Sequence, residues 1–214
     1  VAVYNMIEEK MQESMANYVD SAKNNYGVAY FIKEYMIQNK SFDEVEAAYA
    51  KLTDRVKQSN PGIELKTAID ELASVSVGGT APDIKLMTPD STELSLYSLR
   101  GHYVLLDFWA SWCGPCLREV PNVKAIYEKY HDKGFEIFGV SLDETVGPWK
   151  AAIKKNDMNW HHVSSLKGWN CPAAKRYNVT GIPRMYIIDP EGKIIAQDLR
   201  GEELAKFVAG LYGE

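Results

Sequence analysis

The chain has 214 residues, of which 46% are hydrophobic and 25% are charged, and its formal net charge is −5. This composition is typical of a soluble globular protein with one large or two small domains, and the acidic balance argues against a nucleic-acid-binding surface. No apolar run approaches the roughly 18 residues that a membrane helix requires. Because the sequence begins at Val1, within a helix-like pattern, we expect further sequence upstream of it and identify no signal peptide.

Helical periodicity dominates residues 1–75. A first predicted helix extends to about residue 23 and carries apolar side chains at helical spacing: Met11, Met15, Tyr18, Val19 and Ala22. After a second helix, Ser41 and Glu44 form a capping box that starts a third helix, which continues to Val56. We expect Asn60-Pro61-Gly62 to end this third helix before a short fourth one. No chemical motif occurs here, and we interpret the Met and Tyr stripes as packing surface rather than as a binding groove.

Residues 76–214 form a second predicted domain, which begins with the Gly- and Pro-containing linker 77–83. Its predicted elements are a hairpin at 84–96, a buried strand at 104–109, a helix from 113, a strand at 135–141, a helix at 148–155, a strand at 160–163, a short helix at 172–176, a hairpin at 184–199 and a helix at 202–211. Strands that alternate with helices indicate an α/β fold, with helices on both faces of a central sheet.

The buried strand leads into Cys113-Gly114-Pro115-Cys116 at the start of a helix. Free N–H groups and the helix dipole stabilise negative charge there, and such motifs lower a cysteine pKa from about 8.5 to between about 3.5 and 7. We therefore expect Cys113 to be the nucleophilic thiolate, and Cys116, one turn later and more buried, to resolve the mixed disulfide. A zinc site is less favoured, because Cys171 and the histidines supply no second paired set of ligands. A purely structural disulfide is the other alternative.

These motifs resemble a known superfamily. The strand 107–110 followed by Trp112-Cys113-Gly114-Pro115-Cys116 resembles the active-site strand and helix of thioredoxin, in which Pro121 matches a helix proline. Gly181-Ile182-Pro183 matches the loop whose cis-proline faces the dithiol. The segments 81–83 and 187–193 resemble the TlpA/ResA-type envelope oxidoreductases, which carry a redoxin or AhpC/TSA-type domain. The resemblance covers residue 76 to the end, and it implies a thioredoxin-like fold with a central mixed sheet, preceded here by an all-α segment.

Two acidic residues are candidates for proton transfer. Asp107 lies in an apolar strand, where burial would raise its pKa, although a surface-facing position at the strand end is an alternative. The resemblance implies that Asp107 lies behind the dithiol, where it would take the proton of Cys116 through water. Glu119 follows Cys116 by three residues, and a glutamate at this spacing lies near the active site in the TlpA/ResA type. The alternative for Glu119 is a solvated side chain.

The remaining site residues are expected to contact substrate. Pro183 should follow a cis peptide bond, and Ile182 would present backbone groups to an extended substrate segment beside the dithiol. Trp112 should form an exposed aromatic rim for partner proteins. Gly114 and Pro115, between the cysteines, are the thioredoxin pair and suggest a reductant.

Other residues carry weaker signals. Arg184 departs from the family pattern, and its charge would either favour the thiolate or point away from it. Cys171 is either a peroxidatic or regulatory thiol or, as we favour, an unpaired cysteine at a small-residue position. His161 and His162 are interpreted as strand and surface residues, and Trp109 as a core residue.

The sequence therefore predicts a thiol-disulfide oxidoreductase that reduces disulfides of proteins in the bacterial envelope or periplasm, a location implied by the resemblance alone. Electrons would come from an upstream thiol donor, for which a membrane reductase is one candidate. We expect no metal and no cofactor other than the Cys113–Cys116 disulfide. One alternative is a thiol peroxidase with antioxidant activity, although Ala110-Ser111-Trp112 lacks the Pro/Thr pattern of peroxiredoxins. The other is a non-catalytic module that binds a partner through its helical region.

Overall fold

The computed structural model describes the backbone of residues 2–214, together with the side chains of residue 10 and of residues 13–214. Val1, on which the expectation of upstream sequence rests, and the side chain of Met11 lie outside the described residues. The chain divides into two compact units, Val1–Ala73 and Ser74–Glu214.

The first unit is helical. Its helices are α1 (Ala2–Ala22), α2 (Tyr26–Phe31), α3 (Ile37–Asn39), α4 (Phe42–Ala50), α5 (Asp54–Lys57) and α6 (Asn60–Ser74), with a π-helical turn over Ile32–Met36. The predicted capping box is present, because the Ser41 side chain accepts from the Glu44 N–H while the Glu44 carboxylate accepts from the Ser41 N–H. The core consists of apolar side chains from α1, α2, the π-helical turn and α4 to α6: Val19, Val28, Ile32, Val45, Val56, Leu65 and Ile69.

Two predictions for this unit are wrong. The third predicted helix ends at Ala50, and Val56 belongs to the separate helix α5. Asn60-Pro61-Gly62 begins α6 instead of ending a helix, because a proline in the first turn loses only an N–H that would have no intrahelical partner. Gly62 is needed there, since a Cβ would lie 2.0 Å from the carbonyl oxygen of Val56. A close approach of α5 and α6 therefore explains the glycine.

The second unit is built on a seven-stranded sheet in the order β2-β1-β5-β4-β3-β6-β7. The strands are β1 (Lys85–Met87), β2 (Glu93–Ser95), β3 (Tyr103–Trp109), β4 (Phe135–Ser141), β5 (His161–Ser164), β6 (Arg184–Ile188) and β7 (Ile194–Gln197), and the helices are α7 (Gly114–Tyr130), α8 (Val146–Lys155), α9 (Pro172–Arg176) and α10 (Gly201–Leu211). β3 pairs in parallel with β4 and antiparallel with β6. The sheet is thus mixed, and the predicted thioredoxin-like α/β fold with a preceding helical segment is confirmed.

The parallel strands β3, β4 and β5 all end at one edge of the sheet, and the loops that follow them are linked by hydrogen bonds. After β3, the Ser111 N–H donates to the Asp143 carboxylate in the loop after β4, at 2.9 Å. The Ser164 hydroxyl at the end of β5 donates to the Ser141 carbonyl of β4 at 3.0 Å. In open α/β sheets, sites form at the carboxyl ends of parallel strands, and these bonds fix the loops that would carry such a site.

Candidate active site

The two cysteines lie at the start of α7, where Cys113 is the N-cap residue. They form a disulfide bond, and the Cys113 sulfur accepts the Cys116 N–H at 3.2 Å. A helix N–H directed at this sulfur would stabilise a thiolate in the reduced form, which is the electrostatic basis for a low Cys113 pKa. The geometry thus suits Cys113 to nucleophilic attack.

The expected difference in burial between the two sulfur-bearing residues is absent from this oxidised form. Cys113 is 5% exposed and Cys116 is 4% exposed. The reason is that the loop before β6 packs against Cys113, whose Sγ lies 3.8 Å from the carbonyl oxygen of Ile182. This loop thus contributes to the burial of Cys113.

This loop carries the predicted proline, and the Ile182–Pro183 peptide bond is cis, as the sequence predicted. Pro183 is buried, whereas Ile182 is partly exposed. The carbonyl oxygen of Pro183 accepts a 2.6 Å hydrogen bond from Nη2 of Arg200, the N-cap residue of α10. Sequence reasoning missed Arg200, which has no motif around it.

Asp107 is buried in β3, with 7% of its surface exposed, so the surface-facing alternative is wrong. Its Oδ1 has no hydrogen-bond partner among the described residues. Burial, and to a smaller extent the charge of Glu119, raises the pKa of Asp107 to about 7, while the positive charge of Arg200 opposes this increase. A carboxyl group with this pKa exchanges protons readily at neutral pH.

Glu119 is half-buried and is not a solvated side chain. Its Oε1 accepts from the Gly201 N–H at the start of α10 and from the Asn122 side chain, both at 2.7 Å. A carboxylate at a helix N-terminus is electrostatically favourable. Glu119 therefore ties the active-site helix α7 to α10, the helix whose N-cap residue holds Pro183.

The aromatic residues of the site divide into core and surface. Trp109 is 1% exposed, whereas Trp112 is 56% exposed, which agrees with the positions predicted for both. Trp169 is 46% exposed, and its ring centroid lies 6.3 Å from that of Trp112. Sequence reasoning missed Trp169. Its position in the loop after β5, at the same sheet edge as the dithiol, was the available signal.

The structure also places the residues with weaker signals, Arg184, Cys171 and His162. The Arg184 guanidinium donates to the Tyr186 hydroxyl at 3.0 Å and pairs with Asp198, so the alternative that it points away is the observed one. Cys171 is buried and free, in agreement with the favoured interpretation. His162 contradicts its prediction as a surface residue. It is 4% exposed, and burial lowers its pKa to about 3.

Within the part of the chain that the structure describes, no group of three or more His, Cys, Asp or Glu side chains is arranged to hold a metal ion. The described helices also include none that is both long and apolar enough to cross a bilayer.

Comparison with known proteins adds independent evidence on the family. The model of the AhpC/TSA family matches residues 77–197. The thiol-disulfide oxidoreductase ResA of Bacillus thuringiensis subsp. konkukian (strain 97-27) is 33% identical over 129 residues, which cover 60% of this chain and 72% of that protein. ResA of Bacillus subtilis (strain 168) is 30% identical over 130 residues, which cover 57% of this chain and 66% of that protein.

Solved structures give the same result. The thioredoxin domain of a thiol-disulfide oxidoreductase from Bacteroides vulgatus superposes with a TM-score of 0.61 at 36% identity, covering 64% of this chain and 97% of that one. A putative thiol:disulfide interchange protein DsbE from Chlorobium tepidum superposes with a TM-score of 0.58 at 29% identity, covering 64% and 96%. The family match lies entirely within the unit that carries the dithiol. The chain therefore belongs to the AhpC/TSA family of the thioredoxin superfamily and is one of its thiol-disulfide oxidoreductases.

Proposed function

We propose that this protein reduces disulfide bonds of partner proteins in the cell envelope through the Cys113–Cys116 pair. The observation that carries the proposal is the redox disulfide at the N-terminus of α7, in which the Cys116 N–H contacts the Cys113 sulfur at 3.2 Å. The Gly114-Pro115 pair between the cysteines supports the reducing direction. The envelope location rests on the resemblance to TlpA/ResA-type proteins.

In the reduced protein, the Cys113 thiolate attacks one sulfur of the substrate disulfide. The substrate S–S bond breaks, one substrate thiolate leaves, and a Cys113–substrate mixed disulfide forms. Asp107 then accepts the Cys116 proton through water, and the Cys116 thiolate attacks the Cys113 sulfur. This second step releases the other substrate thiolate and restores the Cys113–Cys116 disulfide, so that two electrons have passed to the substrate.

The remaining site residues bind and position the substrate. Ile182 offers its backbone to an extended segment of the partner, and Pro183 sets the path of this loop beside Cys113. Gly114, Pro115 and Trp112 form the surface around the sulfur. The charge of Glu119 raises the pKa of Asp107, and its hydrogen bond from the Gly201 N–H positions α10.

An upstream dithiol donor, for which a membrane reductase is a candidate, would reduce the Cys113–Cys116 disulfide after each turnover. That donor gives up two electrons and becomes a disulfide itself. The Cys113–Cys116 disulfide is then the redox cofactor, and the proposed cycle needs neither a metal nor an organic group.

The test is to trap the mixed disulfide. We expect reduced Cys116→Ser to accumulate a covalent adduct with a disulfide-linked peptide substrate, because the resolving thiol is absent, while Cys113→Ser forms no adduct and loses the reductase activity. Mass spectrometry before and after dithiothreitol identifies the adduct. The matched control is Cys171→Ala, which leaves both active-site thiols in place and should turn over normally. Full reductase activity in Cys113→Ser would contradict the mechanism.

A further inference from the structure

We infer that Trp112 and Trp169 together form a docking site for an apolar side chain next to the reacting cysteine of the substrate protein. This inference, which rests on the proposed function, names a specificity-determining surface beside the dithiol. Below, these two residues are called the tryptophan pair.

The tryptophan pair is a contiguous exposed aromatic surface. The two rings lie 6.3 Å apart between centroids, at an interplanar angle of 54°, and the side chains are 56% and 46% exposed. Tryptophans that are exposed in the free protein and then buried against a partner supply a large share of the energy in many protein interfaces. A role in binding a partner would therefore explain why two adjacent tryptophans are exposed.

The loop that carries Trp112 is held by hydrogen bonds. The residue before Trp112, Ser111, donates both its N–H and its hydroxyl to the buried Asp143 carboxylate. The residue before Trp169 is Gly168, whose φ of +53° is a backbone conformation that glycine adopts readily. A surface organised before binding loses less conformational entropy when a partner docks.

The position of the pair identifies its occupant. Trp112 is exposed and directly precedes Cys113, so a protein whose sulfur reaches the Cys113 sulfur docks beside Trp112. Trp169 contacts Trp112 and is covered by the same partner. The Ile182 carbonyl, 3.8 Å from the Cys113 sulfur, provides the contact for the partner's main chain. A substrate segment docked there in extended form would direct a side chain flanking its cysteine toward the tryptophan pair.

The chemistry of this surface favours an apolar side chain over an acidic one. Aromatic faces bury aliphatic and aromatic groups well but carry negative charge density. An acidic side chain placed against the two rings would lose hydration there. The substrate class is therefore a protein disulfide with an apolar residue adjacent to its cysteine.

The experiment compares two disulfide-linked peptides that differ only in the residues flanking the cysteine, leucine in one and glutamate in the other. Turnover is driven by dithiothreitol and followed as kcat/KM. We expect the unmodified protein to prefer the leucine peptide by about 10-fold. Trp169→Ala should reduce this ratio to about 1–2, because it loses activity on the leucine peptide. Trp169→Phe should largely keep the ratio. Tyr97→Ala is the matched control, because Tyr97 is an exposed aromatic residue before β3, at the opposite edge of the sheet.

The outcomes separate the inference from the proposed function. Equal activity of the unmodified protein on both peptides, or an unchanged preference in Trp169→Ala, would overturn the inference while leaving the disulfide reductase activity established. Failure of the folded, reduced protein to act on either peptide would overturn both. Because Trp169 is an exposed surface residue, far-UV circular dichroism of Trp169→Ala is expected to match that of the unmodified protein.

Discussion

In the proposed mechanism, the surroundings of Asp107 control the proton transfer of the second chemical step. Its carboxyl group is buried, and its backbone lies in β3 with Gly139 of β4 and Met185 of β6 as register partners. Two charges of opposite sign act on it, those of Glu119 and Arg200. Both of these residues are attached to the start of α10, so the proton affinity of Asp107 depends on the position of that helix.

We expect Asp107→Asn to slow the attack of Cys116 on the mixed disulfide. Since the pKa of Asp107 is about 7, the carboxylate that accepts the proton is present above pH 7 and is lost below it. The rate of resolution in the unmodified protein should rise with pH through a midpoint near 7. In the variant it should be about 10²-fold lower at pH 8 and lack that midpoint. Stopped-flow tryptophan fluorescence after mixing with substrate measures the rate.

The control for this experiment is Asp90→Asn, in the exposed turn between β1 and β2, which should keep the full pH profile. An unchanged rate and midpoint in Asp107→Asn would show that another group accepts the Cys116 proton.

At this scale, sequence reasoning identified the residues that belong to local motifs. Cys113, Cys116 and Pro183 are defined by their immediate neighbours. The surroundings of Arg184 and His162 are set instead by contacts between distant strands. A strand pattern shows which residues share a face but not which face is covered. The burial of His162 and the contacts of Arg184 at the end of β7 could therefore not be predicted from it.

Among the elements, β4 is central because it lies between β3 and β5, and Gly139 is a position in β4 that has no room for a side chain. Gly139 is paired with Asp107 on one side and with His162 on the other. A Cβ at Gly139 would lie 2.8 Å from Nδ1 of His162 and 3.1 Å from Nε1 of Trp109. Both rings are buried and cannot move aside without disturbing the core.

We therefore expect Gly139→Ala to lower the free energy of unfolding by about 1–3 kcal/mol, which is the usual cost of overpacking a core. Urea denaturation followed by tryptophan fluorescence measures this change. Gly147→Ala is the matched control, because Gly147 lies in α8 with nothing within 4 Å of an added Cβ, and alanine there should be neutral or slightly stabilising. A Gly139→Ala protein as stable as the control would mean that the two rings have room to adjust.

Elements with a strong local signal were predicted well, and those defined by close packing were not. No local signal separates α5 from α4. Asn60-Pro61-Gly62 is compatible with a helix end and with a helix start, and local chemistry alone does not distinguish the two. The deciding contact, the Val56 carbonyl against Gly62, joins two elements. By contrast, α9 was predicted at its observed bounds, Pro172–Arg176, since proline favours a first helical turn.

The whole molecule offers a way to follow one unit alone. All 5 tryptophans of the chain lie in Ser74–Glu214: Trp109, Trp112, Trp149, Trp160 and Trp169. Tryptophan fluorescence of the full chain therefore reports on the unit that carries the dithiol. This unit also holds two buried ionisable groups whose pKa values are shifted in opposite directions, Asp107 upward and His162 downward.

These two shifts have opposite effects on stability as the pH falls. The folded protein keeps a proton on Asp107 between pH 7 and 3.8 that the unfolded chain releases, so this group adds stability as the pH decreases through that window. The unfolded chain binds a proton at His162 between pH 6.5 and 3 that the folded protein excludes, so this group removes stability as the pH decreases. Each slope is at most about 1.4 kcal/mol per pH unit, and the two largely cancel between pH 6.5 and 3.8.

We expect His162→Gln to break this cancellation. Without the histidine, the stabilisation from Asp107 is no longer offset, so as the pH falls from 6.5 to 4 the free energy of unfolding should increase relative to that of the unmodified protein by about 1 kcal/mol or more per pH unit. Asp107→Asn should show the opposite slope, and the double variant should again match the unmodified protein. Urea titrations followed by tryptophan fluorescence at each pH give the values.

His161→Gln is the matched control, since His161 is the neighbouring residue on β5 but its side chain is 40% exposed and pairs with Glu136. It removes a histidine from the same strand without opening space in the core. The neutral amide of glutamine can still donate toward the Met158 carbonyl that accepts from His162, so the prediction concerns the slope and not the absolute stability. If the free energy of unfolding of His162→Gln and that of the unmodified protein followed parallel curves against pH, His162 would bind its proton equally well in the folded and unfolded states. That result would contradict the effect expected from its burial among Trp109, Trp160 and the β4 backbone.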